Sequence, residues 1–252
     1  MATIGLLHPG EMGAAIGAAL TGAGHEVLWA SAGRSAATAR RAAEAGLVDV
    51  GDVAAVLARA AVTFSIVPPH AALDTAAAAR GYAGTWVDAN AVSPATARAV
   101  AASVPRSVDG GIVGPPPRRP DTTRLYVSGA GAAEIAALFV GTPLEAVDLG
   151  ADDPTAASAL KMAYAAWTKG SAALLLATRE LAQRLGVGAA LDAEWARSQP
   201  DLARRLDAAR AAAEAKGWRW IGEMEEIART FADAGLPPGF HRAAADVYRS
   251  DA

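Results

Sequence analysis

A short apolar run at the start of the chain is followed by His8-Pro9-Gly10-Glu11-Met12-Gly13, which opens an alanine-rich amphipathic segment. This pattern suits a phosphate. Gly10 has no Cβ to hold a pyrophosphate off the backbone, Gly13 lets the following helix lie close to the strand, and the N–H groups freed at a helix start favour an anion. Set against G-x-G-x-x-G, His8 replaces the first glycine, and Pro9 after it predicts an extended His8 at the strand's end. The chemistry implied is dinucleotide binding by His8, Pro9, Gly10, Glu11, Met12 and Gly13. An NAD site carries an acidic residue about 20 residues further on, at the end of the second strand, for the ribose 2′-hydroxyl. Here that stretch reads Leu28-Trp29-Ala30-Ser31-Ala32-Gly33-Arg34-Ser35 and has no carboxylate. Arg34, with the hydroxyls of Ser31 and Ser35, offers donors to a 2′-phosphate instead. The expected cofactor is NADP(H).

A second group lies in the Ala- and Leu-rich stretch from Ser158 to Ala177. At about 100° per residue, Lys161, Tyr164, Thr168 and Ser171 fall within an arc of about 80° on an otherwise apolar helix. Such a line faces something polar, for example a ligand cleft. Of the 23 basic residues only Lys161, Lys169 and Lys216 are lysine. Arginine cannot release a proton in a protein, whereas a partly buried lysine can be tuned to do so. Two of three lysines in one helix therefore point to proton transfer, and Lys161, on the polar line, is the better candidate. Lys169 lies about 80° away from it.

The elements that must carry these groups alternate short apolar runs with amphipathic segments as far as about residue 150, the signature of βαβ units. Strands are predicted at 3–7, 26–30, 62–67, 86–89, 107–113, 125–128 and 145–148, with helices between them on a parallel sheet. Ser93-Pro94 reads as an N-cap with proline at the first helical position, and the proline-rich stretch Pro115 to Pro120, with Arg118 and Arg119 inside it, must be a loop. From Asp152-Asp153-Pro154 to Leu185 no proline interrupts, which predicts a helix of about 30 residues, near 45 Å long. Residues 190–252 read as three or four helices broken at Gln199-Pro200, Gly217 and residues 235–239. The fold expected is α/β: a Rossmann-type doubly wound sheet (1–150, NADP-binding), then a long connecting helix leading an all-α domain (151–252).

Composition excludes several function classes. The 252 residues carry a net charge of −3 and no cysteine. Neither half is basic enough for a nucleic-acid surface, and Cys-based nucleophiles, disulfides and zinc sites are ruled out. The opening residues lack the basic start and long apolar stretch of a signal peptide, and no window has the length and apolarity of a bilayer span. A soluble, cytoplasmic protein is expected, with no membrane or nucleic-acid partner. Glu223, Glu225 and Glu226 with His241 stand at no ligand spacing, so no metal is expected. Hydrolysis by a Ser-His-Asp triad has no G-x-S-x-G elbow to rest on.

With both groups in place the chain resembles the β-hydroxyacid dehydrogenase superfamily, which contains 6-phosphogluconate and 3-hydroxyisobutyrate dehydrogenases and has imine reductases as relatives. Residues 4–13 are similar to its I-G-x-I-G-L-G-x-M-G, residues 87–94 to its V-D-x-S-T-x-x-P, and Asp109-Gly110-Gly111-Ile112-Val113-Gly114 sits where it has D-A-x-V-S-G-G. Trp220-Ile-Gly-Glu-Met-Glu-Glu-Ile-Ala, then Gly-Phe-His, resembles a compact bacterial branch. The resemblance implies that nicotinamide lies near Pro68, Pro69 and Asn90, that Gly111, Val113 and Gly114 border the substrate, and that Lys161 is the general acid/base. Two polar positions of that superfamily are Ala165 and Val113 here, which removes contacts to a carboxylated hydroxyacid. Tyr164 and Thr168 can take over positioning, and Tyr164 can itself donate a proton. Retention of Lys161 favours a C–O substrate. An imine reductase and a non-catalytic NADPH-binding sensor stay open as alternatives to reduction of a small carbonyl compound.

In the last third, Trp218, Trp220, Met224, Phe231, Phe240 and His241 gather at helical spacing, which fits core packing or a dimer seam more readily than a substrate wall. Trp220, Met224 and His241 are the substrate-binding candidates there. About 60 residues beyond the long helix bury little surface alone, so a homodimer is expected.

Overall fold

The computed structural model describes residues 1–250. The chain runs β1 (Thr3–Leu7), α1 (Glu11–Gly22), β2 (Glu26–Trp29), α2 (Ala36–Glu44), β3 (Val48–Asp49), α3 (Val53–Arg59), β4 (Val62–Ser65), α4 (Ala72–Ala78), β5 (Thr85–Asp88), α5 (Pro94–Ala101), β6 (Ser107–Val113), β7 (Thr123–Ser128), α6 (Ala132–Ala137) and β8 (Leu144–Asp148). It continues through α7 (Ala156–Arg184), α8 (Gly188–Ser198), α9 (Leu202–Asp233) and α10 (Gly239–Ser250). Contacts divide it into two compact units, Met1–Lys161 and Met162–Ala252. The long helix α7 crosses that boundary, starting in the first unit and continuing in the second.

The first unit is one eight-stranded sheet in the order β3-β2-β1-β4-β5-β6-β7-β8. Its strands are apolar on both faces because both faces are covered. Ile4, Leu6, Val27, Trp29, Phe64 and Val87 pack with α1, α2 and α6, whereas Leu7, Leu28 and Trp86 pack with α3, α4 and α5. This is the doubly wound arrangement expected from the alternating pattern. Every predicted strand is present. The short edge strand β3 is an addition, too brief and too exposed to show an alternating pattern.

The sheet is not wholly parallel: β6 and β7 pair antiparallel. No helix separates them, only the proline-rich loop, and a crossover needs a dozen or more residues to return a strand in the same direction. Helix starts follow the sequence closely. Ser35, Asp52 and Ser93 accept the N–H of Thr38, Ala55 and Thr96 at their helix N-termini, and Pro94 opens α5.

In the second unit the break expected at Gly217 is absent, and α9 runs unbroken through it. Glycine inside a helix costs only about 1 kcal/mol against alanine. Here the surrounding Ala, Lys and Glu favour helix, and buried Gly217 faces Tyr248 of α10. Tyr248 is itself fully buried; its hydroxyl donates to the carbonyl of Lys169 at 2.7 Å and its ring meets Trp220 edge-on at 5.1 Å.

Candidate functional site

Register places four residues in a line across the sheet: Leu7 of β1 opposite Ser65 of β4, Ser65 opposite Asp88 of β5, and Asp88 opposite Asp109 of β6. The turns that follow Leu7, Ser65 and Asp88 therefore emerge along one edge, beside the point where strand order reverses between β1 and β4. In doubly wound sheets that crevice is where ligands bind.

The β1–α1 turn stands at this edge. His8 is not extended, as Pro9 had suggested, but left-handed, with φ +68°. The Gly10 N–H turns back to donate to the His8 carbonyl at 2.7 Å, and that tight reversal needs a positive φ at the position where the motif usually has glycine. Histidine is among the few side chains that tolerate it. A Cβ on Gly13 would lie 2.7 Å from the His8 carbonyl oxygen, so glycine there is required by the close approach of helix and turn. A Cβ on Gly10 would meet nothing within 4 Å, which leaves open space over the turn. No side chain caps α1. Glu11 is exposed and Met12 half-buried.

The β2–α2 loop approaches the same turn. The Arg34 guanidinium donates through Nη2 to Nε2 of His8, and Arg41 of α2 donates to the Pro9 carbonyl at 3.3 Å. Burial, then the charge of Arg34, pushes His8 down to about 4, so its ring is neutral near pH 7. His8 Nδ1 and Arg34 Nε are buried without hydrogen-bond partners. Ser31 accepts the Arg34 N–H through its carbonyl at 3.0 Å, and Ser35 spends its hydroxyl on capping α2. An uncapped helix start, open space over Gly10 and an arginine at the neighbouring loop are features that suit anionic phosphate groups.

Pro68 is exposed, and Pro69 begins a 3-10 turn ending at Ala71. Asn90 is buried and satisfied internally: Oδ1 accepts the Val67 N–H at 2.6 Å, and Nδ2 donates to Ser65 Oγ at 3.2 Å and to the Asp88 carboxylate. It thus orients the Val67-Pro68-Pro69 segment.

Beneath the edge lie two buried carboxyls absent from the sequence reading as site residues. Burial, then the neighbouring Asp109 charge, pushes Asp88 up to about 8. Burial pushes Asp109 up to about 6, against the hydrogen bonds it accepts from Ser158. Asp109 accepts from Ser158 Oγ at 2.6 Å and from Ser158 N at 2.7 Å, while Ser128 Oγ accepts the Ala157 N–H at 3.0 Å. The first donors of α7 are satisfied by these strand residues. The signal available in the sequence was a carboxylate inside the otherwise apolar β6.

Lys161 is one turn beyond Ser158 and half-buried. A Cβ on Gly111 would lie 2.6 Å from the Ala157 carbonyl and 3.1 Å from the Lys161 Cβ, so the absence of a side chain on Gly111 is what lets α7 rest on β6 here. Val113 closes β6 and is buried, while Gly114 follows with φ +121°.

Within the second unit, Tyr164 and Thr168 are exposed on α7, and the Thr168 hydroxyl donates to the Tyr164 carbonyl at 3.2 Å. Met224 is fully buried and His241 nearly so, the latter against Phe231 at 4.2 Å and Phe240 at 5.2 Å between ring centroids. Trp220 is half-buried against Tyr248 and Lys169, whose ammonium is also ion-paired with Glu223. Met224 and His241 therefore pack the interior of this unit. Arg118 and Arg119 are exposed in the first unit, Arg118 beside a cavity of about 530 Å³ along α1.

Residues 182–250 match the family described as "Domain of unknown function (DUF1932)". Among solved structures, a conserved protein of unknown function with structural similarity to 3-hydroxyacid dehydrogenases is 27% identical, with 99% of this chain and 97% of that one aligned at a TM-score of 0.73. The chain has the 3-hydroxyacid dehydrogenase fold. A conserved hypothetical protein from Sinorhizobium meliloti 1021 is 28% identical over 99% of this chain and 88% of that one, with a TM-score of 0.73. The 3-hydroxyisobutyrate dehydrogenase of Mycobacterium tuberculosis shares the 3-hydroxyacid dehydrogenase fold at 20% identity, 99% and 93% coverage and a TM-score of 0.68. An imine reductase of Streptomyces aurantiacus and an Aspergillus terreus reductive aminase in complex with NADPH share it more distantly, at TM-scores of 0.54 and 0.61. No curated protein matches the chain. Among the described residues, no helix is long and apolar enough to cross a membrane, and no cluster of three or more His, Asp or Glu is arranged to hold a metal.

Proposed function

We propose that this protein is an NADPH-dependent oxidoreductase acting on a small carbonyl or hydroxy compound, with Lys161 as general acid/base. One observation carries the reading: the Lys161 Cβ lies against Gly111, two residues past Asp109, which stands in the strand line whose other end precedes the His8–Gly13 turn. A bound nicotinamide supplies or accepts hydride. Pro9, Gly10 and Gly13 would hold the pyrophosphate, Arg34 with Ser31 and Ser35 the 2′-phosphate, and Pro68 and Pro69 would border the ring. In reduction, the Lys161 ammonium gives a proton to the carbonyl oxygen as it becomes a hydroxyl; in oxidation, the amine takes it back. Buried Val113 offers no polar side chain to a substrate carboxylate, which favours a less polar carbonyl compound.

A homodimer is part of the proposal. In the second unit, Trp167, Leu174, Leu181 and Leu185 are exposed on α7. At about 100° per residue they share an arc of about 40°, an apolar stripe of the kind that marks an interface. Sedimentation at micromolar concentration should give a dimer, and Leu181→Glu a monomer; a monomeric wild-type protein overturns the assembly.

The activity is tested by NADPH oxidation against panels of aldehydes, α-keto acids and cyclic imines. Turnover of a carbonyl compound, lowered at least about 100-fold in Lys161→Ala with NADPH affinity retained, is expected. Turnover confined to imines replaces the substrate class, and NADPH binding with no turnover of any panel member leaves a sensor. Arg34→Ala should weaken NADPH far more than NADH; equal effects overturn the phosphate assignment.

A further inference from the structure

In place of the first glycine of the dinucleotide turn this chain has His8, and the structure gives that side chain a second task. The backbone requirement is a positive φ, which glycine meets without strain and histidine only at some cost. A strained residue retained at a binding turn points to its side chain. The His8 ring is half-buried, and its Nε2 receives the Arg34 guanidinium from the β2–α2 loop. Arg41 makes a parallel tie from α2 to the Pro9 carbonyl at 3.3 Å and holds Thr38 Oγ1 at 3.1 Å. The turn and the loop are therefore joined at two points. Only the first involves the residue read as the phosphate ligand.

We propose that His8 is the specificity-determining residue of the dinucleotide site: its ring holds Arg34 in place beside the turn, ready for a 2′-phosphate, so that preference for NADPH over NADH depends on the His8–Arg34 contact. This rests on the dinucleotide reading above. An unrestrained arginine loses rotamer freedom on being ordered, and a partner that orders it beforehand removes much of that cost from binding. The neutral imidazole occupies one of the five guanidinium donors and brings no charge of its own to compete for the phosphate. Glycine at position 8 would ease the turn and release Arg34. The two dinucleotides differ at the site only in the 2′ group, so NADH affinity should not feel the release.

The test is a double-mutant cycle read by equilibrium binding of NADPH and NADH to the purified protein. His8→Gly is expected to weaken NADPH about tenfold and to change NADH less than twofold. His8→Asn, which also tolerates positive φ but is too short to reproduce the imidazole contact, should behave the same way and separates the ring from the turn. In the Arg34→Ala background, His8→Gly should cost NADPH nothing further. Equal weakening of both dinucleotides, or a full further loss in the double variant, overturns the inference while the dinucleotide site stands. Wild-type protein that binds neither dinucleotide overturns both.

Discussion

Asp109 grips Ser158 twice, Oδ1 accepting the hydroxyl at 2.6 Å and Oδ2 the backbone N–H at 2.7 Å. The first turn of α7 is thereby fastened to β6, and Lys161 is the next turn along. Position of the lysine thus depends on a carboxylate in the sheet.

Ser158→Ala removes one of these bonds from a site with no solvent to replace it. A hydrogen bond to a charged group is worth about 1.5–3 kcal/mol. The melting temperature should fall accordingly, and turnover should drop while NADPH affinity is unchanged. Unaltered stability would show that the joint does not hold the helix.

Gly111→Ala puts a methyl group 2.6 Å from the Ala157 carbonyl, where backbone must move. Shifting a positioned proton donor by about 1 Å costs on the order of 100-fold in rate. We expect a loss of that order in kcat, with NADPH affinity within twofold of wild type. A parallel loss of cofactor affinity would mean that the change spreads to the β1–α1 turn.

Stability should depend on pH through groups with opposing signs. Asp88 is held up to about 8 and Asp109 to about 6, whereas unfolded carboxyls titrate near 4, so between those limits the native state keeps protons that the unfolded state has released. Their contribution falls as pH rises. His8, pushed down to about 4, runs the other way: between pH 4 and 6.5 the unfolded state holds the extra proton, and stability rises with pH. Above pH 6.5 the Asp88 effect remains. Melting temperature should therefore decline from pH 6.5 to 8 in the wild-type protein and decline less in Asp88→Asn; a flat profile in both would contradict a neutral buried carboxyl.

Gly217→Ala is expected to stabilise the second unit. The added Cβ would lie 4.0 Å from the Tyr248 ring, an ordinary contact, and alanine is favoured over glycine in a helix by about 0.5–1 kcal/mol. A raised denaturation midpoint at unchanged slope checks it, and a lowered midpoint would mean that the ring has no room to spare.

The alternation of apolar runs with amphipathic segments determined the doubly wound sheet, because strands buried on both faces must be apolar throughout and the helices that cover them must not. The β1–α1 turn and the long helix were likewise legible, since glycine spacing and uninterrupted helical pattern are local properties of the chain. Tertiary structure decided the rest. Whether β7 ran parallel depended on what a proline-rich loop could span, and the unbroken α9 packs Gly217 toward a tyrosine about 30 residues away. His8 took a left-handed backbone because Gly10 turns back onto its carbonyl, an outcome no dipeptide preference contains. Asp88 and Asp109 became a buried pair only when two strands aligned them, since burial and neighbouring charge are properties of the folded surroundings and not of a residue type.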